Sequence, residues 1–385
     1  MVTKAGSKKA KQPKICLVLQ GGGALGAYHI GAYQAMVEAG FEPDWFAGIS
    51  IGALNATILA GNKPEDRLSK LEQFWDSISR PSSAVVIPSE TAESFNVLSA
   101  SQALLFGQPN FFTPRPVNPY FAPAGSEGAT SFYSTEPLFN TMRELCDFDL
   151  INKKTVRLQL GATRVTDGEL VFFDNQLAEI GPEHPIASGS LPPGFPATQV
   201  GDDHYWDGGV VSNTPLNGVL DVADESDDLL IFMVDLWNAH GEMPRTMNDV
   251  LWRQKEIQYA SRTCHSIDAL VDKKNLCALR KQLAEIDSSA VENKDALKVG
   301  GNIDVIHITY DAVAGHIPLS DTEFSRRSLE LRRECGYENM KQAIAEAPWK
   351  NRTTGMPANV HRKHHQDGWA KQKKVTPIQN RKKAS

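Results

Sequence analysis

The sequence predicts an α/β fold: a mostly parallel sheet covered by helices on both faces, followed by a helical C-terminal region. Three observations predict it. The continuous apolar run Ile15–Leu19 reads as a buried strand, and Leu229–Leu236 as a strongly apolar one. Helical segments with 3.6-residue periodicity alternate with those runs, the pattern of parallel strands joined by crossovers. Finally, Gly21-Gly22-Gly23-Ala24-Leu25-Gly26 and Gly48-Ile49-Ser50-Ile51-Gly52 each follow an apolar run and open a helix.

In chain order, residues 1–13 read as a disordered basic tail and Ile15–Leu19 as the first strand. Ala24–Ala39 is expected to be helical, with Leu25, Tyr28, Ala32, Ala35, Met36 and Ala39 at helical spacing and Gly40 as the stop. Asp44–Ala47 leads a second strand into the second glycine turn. Ile51–Ala60 and Glu65–Ile78 follow as helices. Residues 80–132 change character: prolines 81, 88, 109, 114, 116, 119 and 123 are interleaved with Phe111, Phe112 and Tyr120, which reads as a long loop insertion. Glu136–Leu145 is a helix, and Val156–Val165 pairs with Glu169–Phe173 as a hairpin across Thr166-Asp167-Gly168. A short helix at Pro185–Ser188, a strand before His204-Tyr205-Trp206, a helix from Thr214 to Leu220 and the strand Leu229–Leu236 complete a core spanning residues 14–240. Residues 241–350 form a helical extension: charged helices over 245–287, a last strand at Ile303–Thr309, and a closing helix from Asp321 to Ala345 with a break at Gly336. Residues 351–385 read as a second disordered basic tail.

Composition narrows the class. The chain has 385 residues, 41% hydrophobic content and five scattered cysteines with no CxxC pair. That pattern predicts reduced thiols rather than a disulfide frame or zinc site, and no metal or cofactor. No apolar run approaches the roughly 20 residues of a membrane span, and no secretion signal is evident, so a cytoplasmic location is expected. The net charge of −6 is uneven: residues 1–14 carry +5, residues 351–385 carry +8, and the body between them −19. Basic tails on an acidic body suit peripheral contact with an anionic membrane or lipid inclusion. No motif for specific nucleic-acid binding accompanies the charge.

The two glycine turns carry the chemistry. The first offers free backbone N–H groups at a helix start, suited to an anion. It also matches GxGxxG, the dinucleotide fingerprint, with Asp44 18 residues after Gly26. Against a cofactor, Asp44 precedes the second strand instead of ending it, and that strand runs into a glycine-flanked serine. Ser50 on a strand-to-helix bend is the pattern of a nucleophile elbow. A base for Ser50 could be a downstream histidine (His184, His204, His240, His265, His307 or His316), none with a distinguishing motif. The sharper candidate is Asp207, which ends a strand and is followed by Gly208 and Gly209.

GGGxxG, then GxSxG, then Asp-Gly-Gly, with Ser50 and Asp207 157 residues apart, resembles the patatin-like phospholipases. Ala187-Ser188-Gly189-Ser190-Leu191-Pro192 with Phe195-Pro196 resembles the segment before Asp-Gly-Gly in that family. The resemblance covers residues 14–240 and implies a three-layer α/β/α core. It further implies a Ser50–Asp207 pair without histidine, an acyl-enzyme, and an oxyanion hole from the amides of Gly21, Gly22, Gly23 and Ala24. Gly26, Gly48, Gly52, Gly208 and Gly209 support the motifs. Many relatives carry Arg or Lys where this chain has Leu25, which loosens the expectation of a phosphate-bearing substrate. A lipid ester is the expected substrate. Neutral or polyester (hydroxyalkanoate) esters remain alternatives, as does a lipid-surface binding protein in which catalysis is secondary.

Overall fold

The computed structural model describes residues 12–80, 92–223, 228–286, 301–312, 317–352, 357–364 and 368–370. The N-terminal tail of residues 1–11 lies outside them.

Strand β1 (Lys14–Leu19) passes through a 3₁₀ turn at Gly23–Ala27 into α1 (Tyr28–Glu38). Strand β2 (Trp45–Ile49) runs into α2 (Ile51–Ala60), then α3 (Pro64–Ile78). Next come α4 (Ala92–Phe106), the two-residue strands β3 (Thr113–Pro114) and β4 (Tyr133–Ser134), and helices α5 (Glu136–Leu145) and α6 (Phe148–Asn152). Strands β5 (Arg157–Arg164) and β6 (Leu170–Asp174), α7 (Glu183–Ser188), β7 (Thr198–Val200), β8 (Asp203–Asp207), α8 (Leu216–Val222) and β9 (Leu229–Asp235) follow. The chain closes with α9 (Met247–Ile286), β10 (Ile303–Thr309), α10 (Arg326–Glu346), β11 (Ala358–His364) and β12 (Gly368–Ala370).

The sheet order is β12-β11-β10-β9-β1-β2-β5-β8-β7, with β6 also on β5. The centre, from β11 through β5, is parallel, and the antiparallel pairs lie at the two ends. Strand alternation divides the core into two faces. Leu17, Leu19, Phe46, Phe232 and Ile306 pack with α1, α2, α3 and α10. Cys16, Val18, Trp45, Ile231 and Val305 pack with α8 and with Ile267 and Val271 of α9. This is the expected α/β/α sandwich.

The hairpin at 157–174 forms as expected, with Gly168 at φ 73° in its turn. Four expectations are corrected. The segment 80–132 is no continuous loop. Its residues 92–106 carry no proline and form α4, while residues 81–91 lie outside the described part. Residues 245–287 give one long helix instead of several. Helix α10 continues through Gly336, whose hydrogen faces α1: a Cβ there would lie 2.0 Å from the Tyr28 carbonyl oxygen. The glycine permits a close helix crossing. Finally, Ile303–Thr309 is not the last strand. Part of the presumed C-terminal tail is β11, parallel to β10, where His361 and Arg352 meet the buried Asp304 at 3.2 and 2.6 Å.

Candidate active site

Both glycine turns leave the C-terminal ends of neighbouring parallel strands, so they meet at one edge of the sheet. Ser50 sits between β2 and α2 at φ 56° and ψ −128°, a left-handed conformation that disfavours side chains with a Cβ. The bend is tight. A Cβ on Gly48 would lie 2.3 Å from the Gly52 carbonyl oxygen, and one on Gly52 would lie 2.2 Å from that of Leu19. The two glycines flanking the serine are therefore steric requirements. A Cβ on Gly21 would come within 2.8 Å of the Ser50 Cβ, so the first loop lies directly against the serine.

Asp207 ends β8, beside Ala162 of β5, and is 2% exposed. Its Oδ1 accepts the Gly209 amide at 2.7 Å, and the Ser50 side chain lies near enough to favour its ionised form. Burial pushes its pKa up to about 7, and Ser50 and the Gly209 amide only partly offset that. A carboxyl so raised matches the basicity that proton transfer near neutrality requires.

The segment 187–190 fastens both residues in place. The Ser50 amide donates to the Ser188 Oγ at 3.0 Å and the Ser188 carbonyl at 3.1 Å, and the Ser188 hydroxyl donates to Gly161 O at 2.6 Å. The Asp207 amide donates to Ser190 O at 2.9 Å. Sequence reading marked this segment only as a flank. Its role as a brace arises from contacts across a large sequence separation.

The four expected oxyanion donors divide. The Gly21 amide donates to Asn213 O at 3.4 Å and is engaged. Among the described residues, the amides of Gly22, Gly23 and Ala24 meet no acceptor at the start of the 3₁₀ turn, where helical amides lack internal partners. Gly23 takes φ 54°, and a Cβ on it would lie 2.2 Å from Asp321 O. The loop is held by residues without a local sequence signal. Gly21 O accepts from Asn213 Nδ2 and Trp237 Nε1, each at 2.9 Å. The buried Gln20 accepts the amides of Leu236 and Trp237 at 2.6 and 3.1 Å. Arg332 of α10 donates to Ala24 O at 3.0 Å.

The competing candidates sit elsewhere. Asp44 accepts the Ile15 amide at 3.0 Å, at the start of β1 and so at the opposite edge of the sheet from the glycine loops. A ribose-binding acid belongs at the strand ends that hold the loop. His184 is tied to the Gly181 backbone at 2.9 Å and His307 to Asp235 at 2.7 Å. His204 and His240 are exposed, and the His265 side chain and His316 lie outside the described residues. Among the described residues, no group of three or more His, Cys, Asp or Glu could hold a metal ion.

A family model described as "Patatin-like phospholipase" matches residues 17–220, and one described as "Patatin phospholipase" matches residues 257–355. The neuropathy target esterases sws of Drosophila sechellia and Drosophila melanogaster are each 41% identical to this chain over 61 residues. That stretch is 16% of this chain and only 4% of theirs. Among solved structures, VipD from Legionella pneumophila is similar with a TM-score of 0.40 at 15% identity, covering 88% of this chain and 67% of its own.

Proposed function

The chain belongs to the patatin-like phospholipase family, and from that premise we propose that it hydrolyses a carboxylic ester of a lipid with Ser50 as nucleophile and Asp207 as its proton acceptor. The observation that carries this reading is that Ser188 and Ser190 fasten the backbones of Ser50 and Asp207 side by side, with the Asp207 carboxyl buried and its pKa raised to about 7.

In this reading Ser50 Oγ attacks the ester carbonyl carbon while Asp207 takes the hydroxyl proton. The oxygen of the tetrahedral intermediate is received by the free amides of the first glycine loop, Gly22, Gly23 and Ala24. Donors so placed contribute about 10²–10³ in rate when well aimed. Collapse breaks the bond to the alcohol, whose oxygen takes the proton from Asp207 and leaves. Water then attacks the acyl-enzyme and gives its proton to Asp207. The acid departs, and Ser50 Oγ recovers the proton. The raised pKa matters because an ordinary carboxylate, near pKa 4, is a weak base for an alcohol.

A lipid source for the ester is supported by large apolar side chains left in solvent. Phe106 of α4 is 70% exposed, and Tyr120 and Phe121 in the insertion are 85% and 84% exposed. The insertion approaches the site through backbone bonds from Phe132 and Tyr133 to Pro193 O and Gly194 O, just past the segment that braces the pair. Exposed apolar side chains of this size suit the surface of a lipid aggregate. Among the described residues no helix is long and apolar enough to cross a membrane.

Labelling with a fluorophosphonate probe tests the reading. Covalent labelling of the unmodified protein, lost in Ser50→Ala and strongly reduced in Asp207→Asn, is expected. Equal labelling of all three would remove both residues from their roles.

A further inference from the structure

The alcohol half of the ester has a defined place. Its leaving oxygen must collect the proton held by Asp207, so it lies on the Asp207 side of the site, away from the amides of Gly22 and Gly23. A recess lies next to Asp207, lined by residues 209–213, which follow it in the chain, and by Gln258 and Tyr259 of α9. Helix α9 belongs to the C-terminal region, beyond the glycine and Asp-Gly-Gly motifs.

Tyr259 is held firmly. Its ring packs on Trp237 with centroids 5.0 Å apart, and Trp237 in turn donates to Gly21 O. Its backbone carbonyl accepts the side-chain amide of Gln20 at 3.5 Å. Among the described residues its hydroxyl meets no hydrogen-bond partner, although the ring is half-buried. Burial and the nearby carboxyls of Asp207 and Asp321 raise the phenol's pKa, which keeps it a hydrogen-bond donor.

The charges around the recess are balanced or negative. Lys255, one turn before Tyr259, places its Nζ 2.8 Å from both oxygens of Asp321. Arg253 is spent on Glu256 and the Asn238 carbonyl, and Arg332 on the carbonyls of Ala24, Glu323 and Ser320. Leu25, wholly buried, brings no charge to the glycine loop.

We infer that this recess binds the alcohol half of the ester, that Tyr259 donates a hydrogen bond to a free hydroxyl on it, and that the preferred leaving group is an uncharged, hydroxyl-bearing alcohol of the glycerol type rather than a phosphate ester. The inference rests on the hydrolase reading of Ser50. It deepens that reading by assigning a substrate class to the C-terminal region.

The test compares three esters of one fatty acid, its glyceryl, methyl and glycerophosphate esters, in the unmodified full chain and in Tyr259→Phe. The phenyl ring preserves the packing on Trp237. Loss of one neutral hydrogen bond predicts a fall of about fivefold in kcat/KM for the glyceryl ester. The methyl ester, the rate of fluorophosphonate labelling and the melting temperature should be unchanged. In the unmodified protein the glyceryl ester should be turned over faster than the glycerophosphate ester. An equal effect of Tyr259→Phe on glyceryl and methyl esters, or none on either, would overturn the role of Tyr259. Faster turnover of the glycerophosphate ester would overturn the charge preference. Absence of turnover and labelling in the unmodified protein would sink the hydrolase reading and the subsite with it, whereas labelling with an unchanged ester preference sinks the subsite alone.

Discussion

The guanidinium of Arg332 donates to the carbonyl of Ala24 across 308 residues of sequence. It also reaches the carbonyls of Glu323 and Ser320 and lies 3.7 Å from the Glu323 carboxylate, all of them buried. One buried cation therefore ties the C-terminal helix to the loop that presents the candidate oxyanion donors.

Arg332→Met leaves three carbonyls and a buried carboxylate without their partner. Breaking such a pair from one side costs about 3–5 kcal/mol. We expect a clear fall in melting temperature, and loss of fluorophosphonate labelling at temperatures where the unmodified protein stays folded. Retention of both would detach residues 320–346 from the site.

Asp207 gives two pH signatures. As the proposed base it must be ionised, so kcat/KM should rise with pH through about 7 and then level off. Stability moves the other way. Between the ordinary carboxylate range and about pH 7 the folded chain holds a proton that the unfolded chain has released, so rising pH removes stability until the folded carboxyl ionises. Asp207→Asn escapes that loss. Its melting temperature should match the parent near pH 4 and exceed it by about 3 °C above pH 7, while ester turnover disappears. A variant less stable than the parent at pH 8 would contradict the assigned ionisation.

In the proposed mechanism Ser50 and Asp207 act on one proton. Ser50→Ala and Asp207→Asn should each lower kcat by at least about 10³, and the double variant by little more than either alone. Multiplying losses in single-turnover measurements would show that the two residues act independently.

Gly48→Ala and Gly52→Ala each drive a Cβ to within 2.3 Å of a backbone carbonyl oxygen. Neither oxygen can withdraw without distorting α2 or the end of β1. Destabilisation above about 3 kcal/mol is expected, read as loss of soluble protein or a sharply lowered melting temperature. Gly40→Ala, where a Cβ would meet nothing within 4 Å but φ is +80°, should be much milder.

Phe106→Ser combined with Phe121→Ser removes two of the large exposed apolar side chains. Turnover of an ester in vesicles should fall several-fold, with hydrolysis of a soluble short-chain ester unchanged. A parallel loss on both substrates would point to folding instead of surface contact.

The strands were legible because β1, β2 and β9 are buried on both faces and spelled in strongly apolar runs, while β5 showed the alternation of a hairpin strand. The two turns were legible because each demands glycine for a steric reason. Helix α4 escaped because its pattern is inverted: Ala92, Asn96, Ser99, Ala100 and Ala103 face inward, while Val97, Leu98, Leu105 and Phe106 face solvent. Strand β11 escaped because its basic side chains mimic a tail. Their acidic partners Asp268 and Asp304 are distant in sequence. At the site, Ser50, Asp207 and the glycines could be found from local spacing. Gln20, Ser188, Asn213, Trp237 and Arg332 could not, because each works through long-range hydrogen bonds that no local pattern announces.

Strand β9 is buried along its whole length and stands between β1, an early partner, and β10, a late one. The ribosome releases Leu229–Asp235 well before Ile303–Thr309. During that interval a nascent chain that already holds Ser50 and Asp207 presents an unpaired strand edge, apolar up to Asp235, the kind of template on which chains aggregate. The segment that carries β10 therefore supplies the cover that keeps the earlier part of the chain from associating with copies of itself, and a translational arrest near Gly241 should send the product to chaperones rather than to substrate.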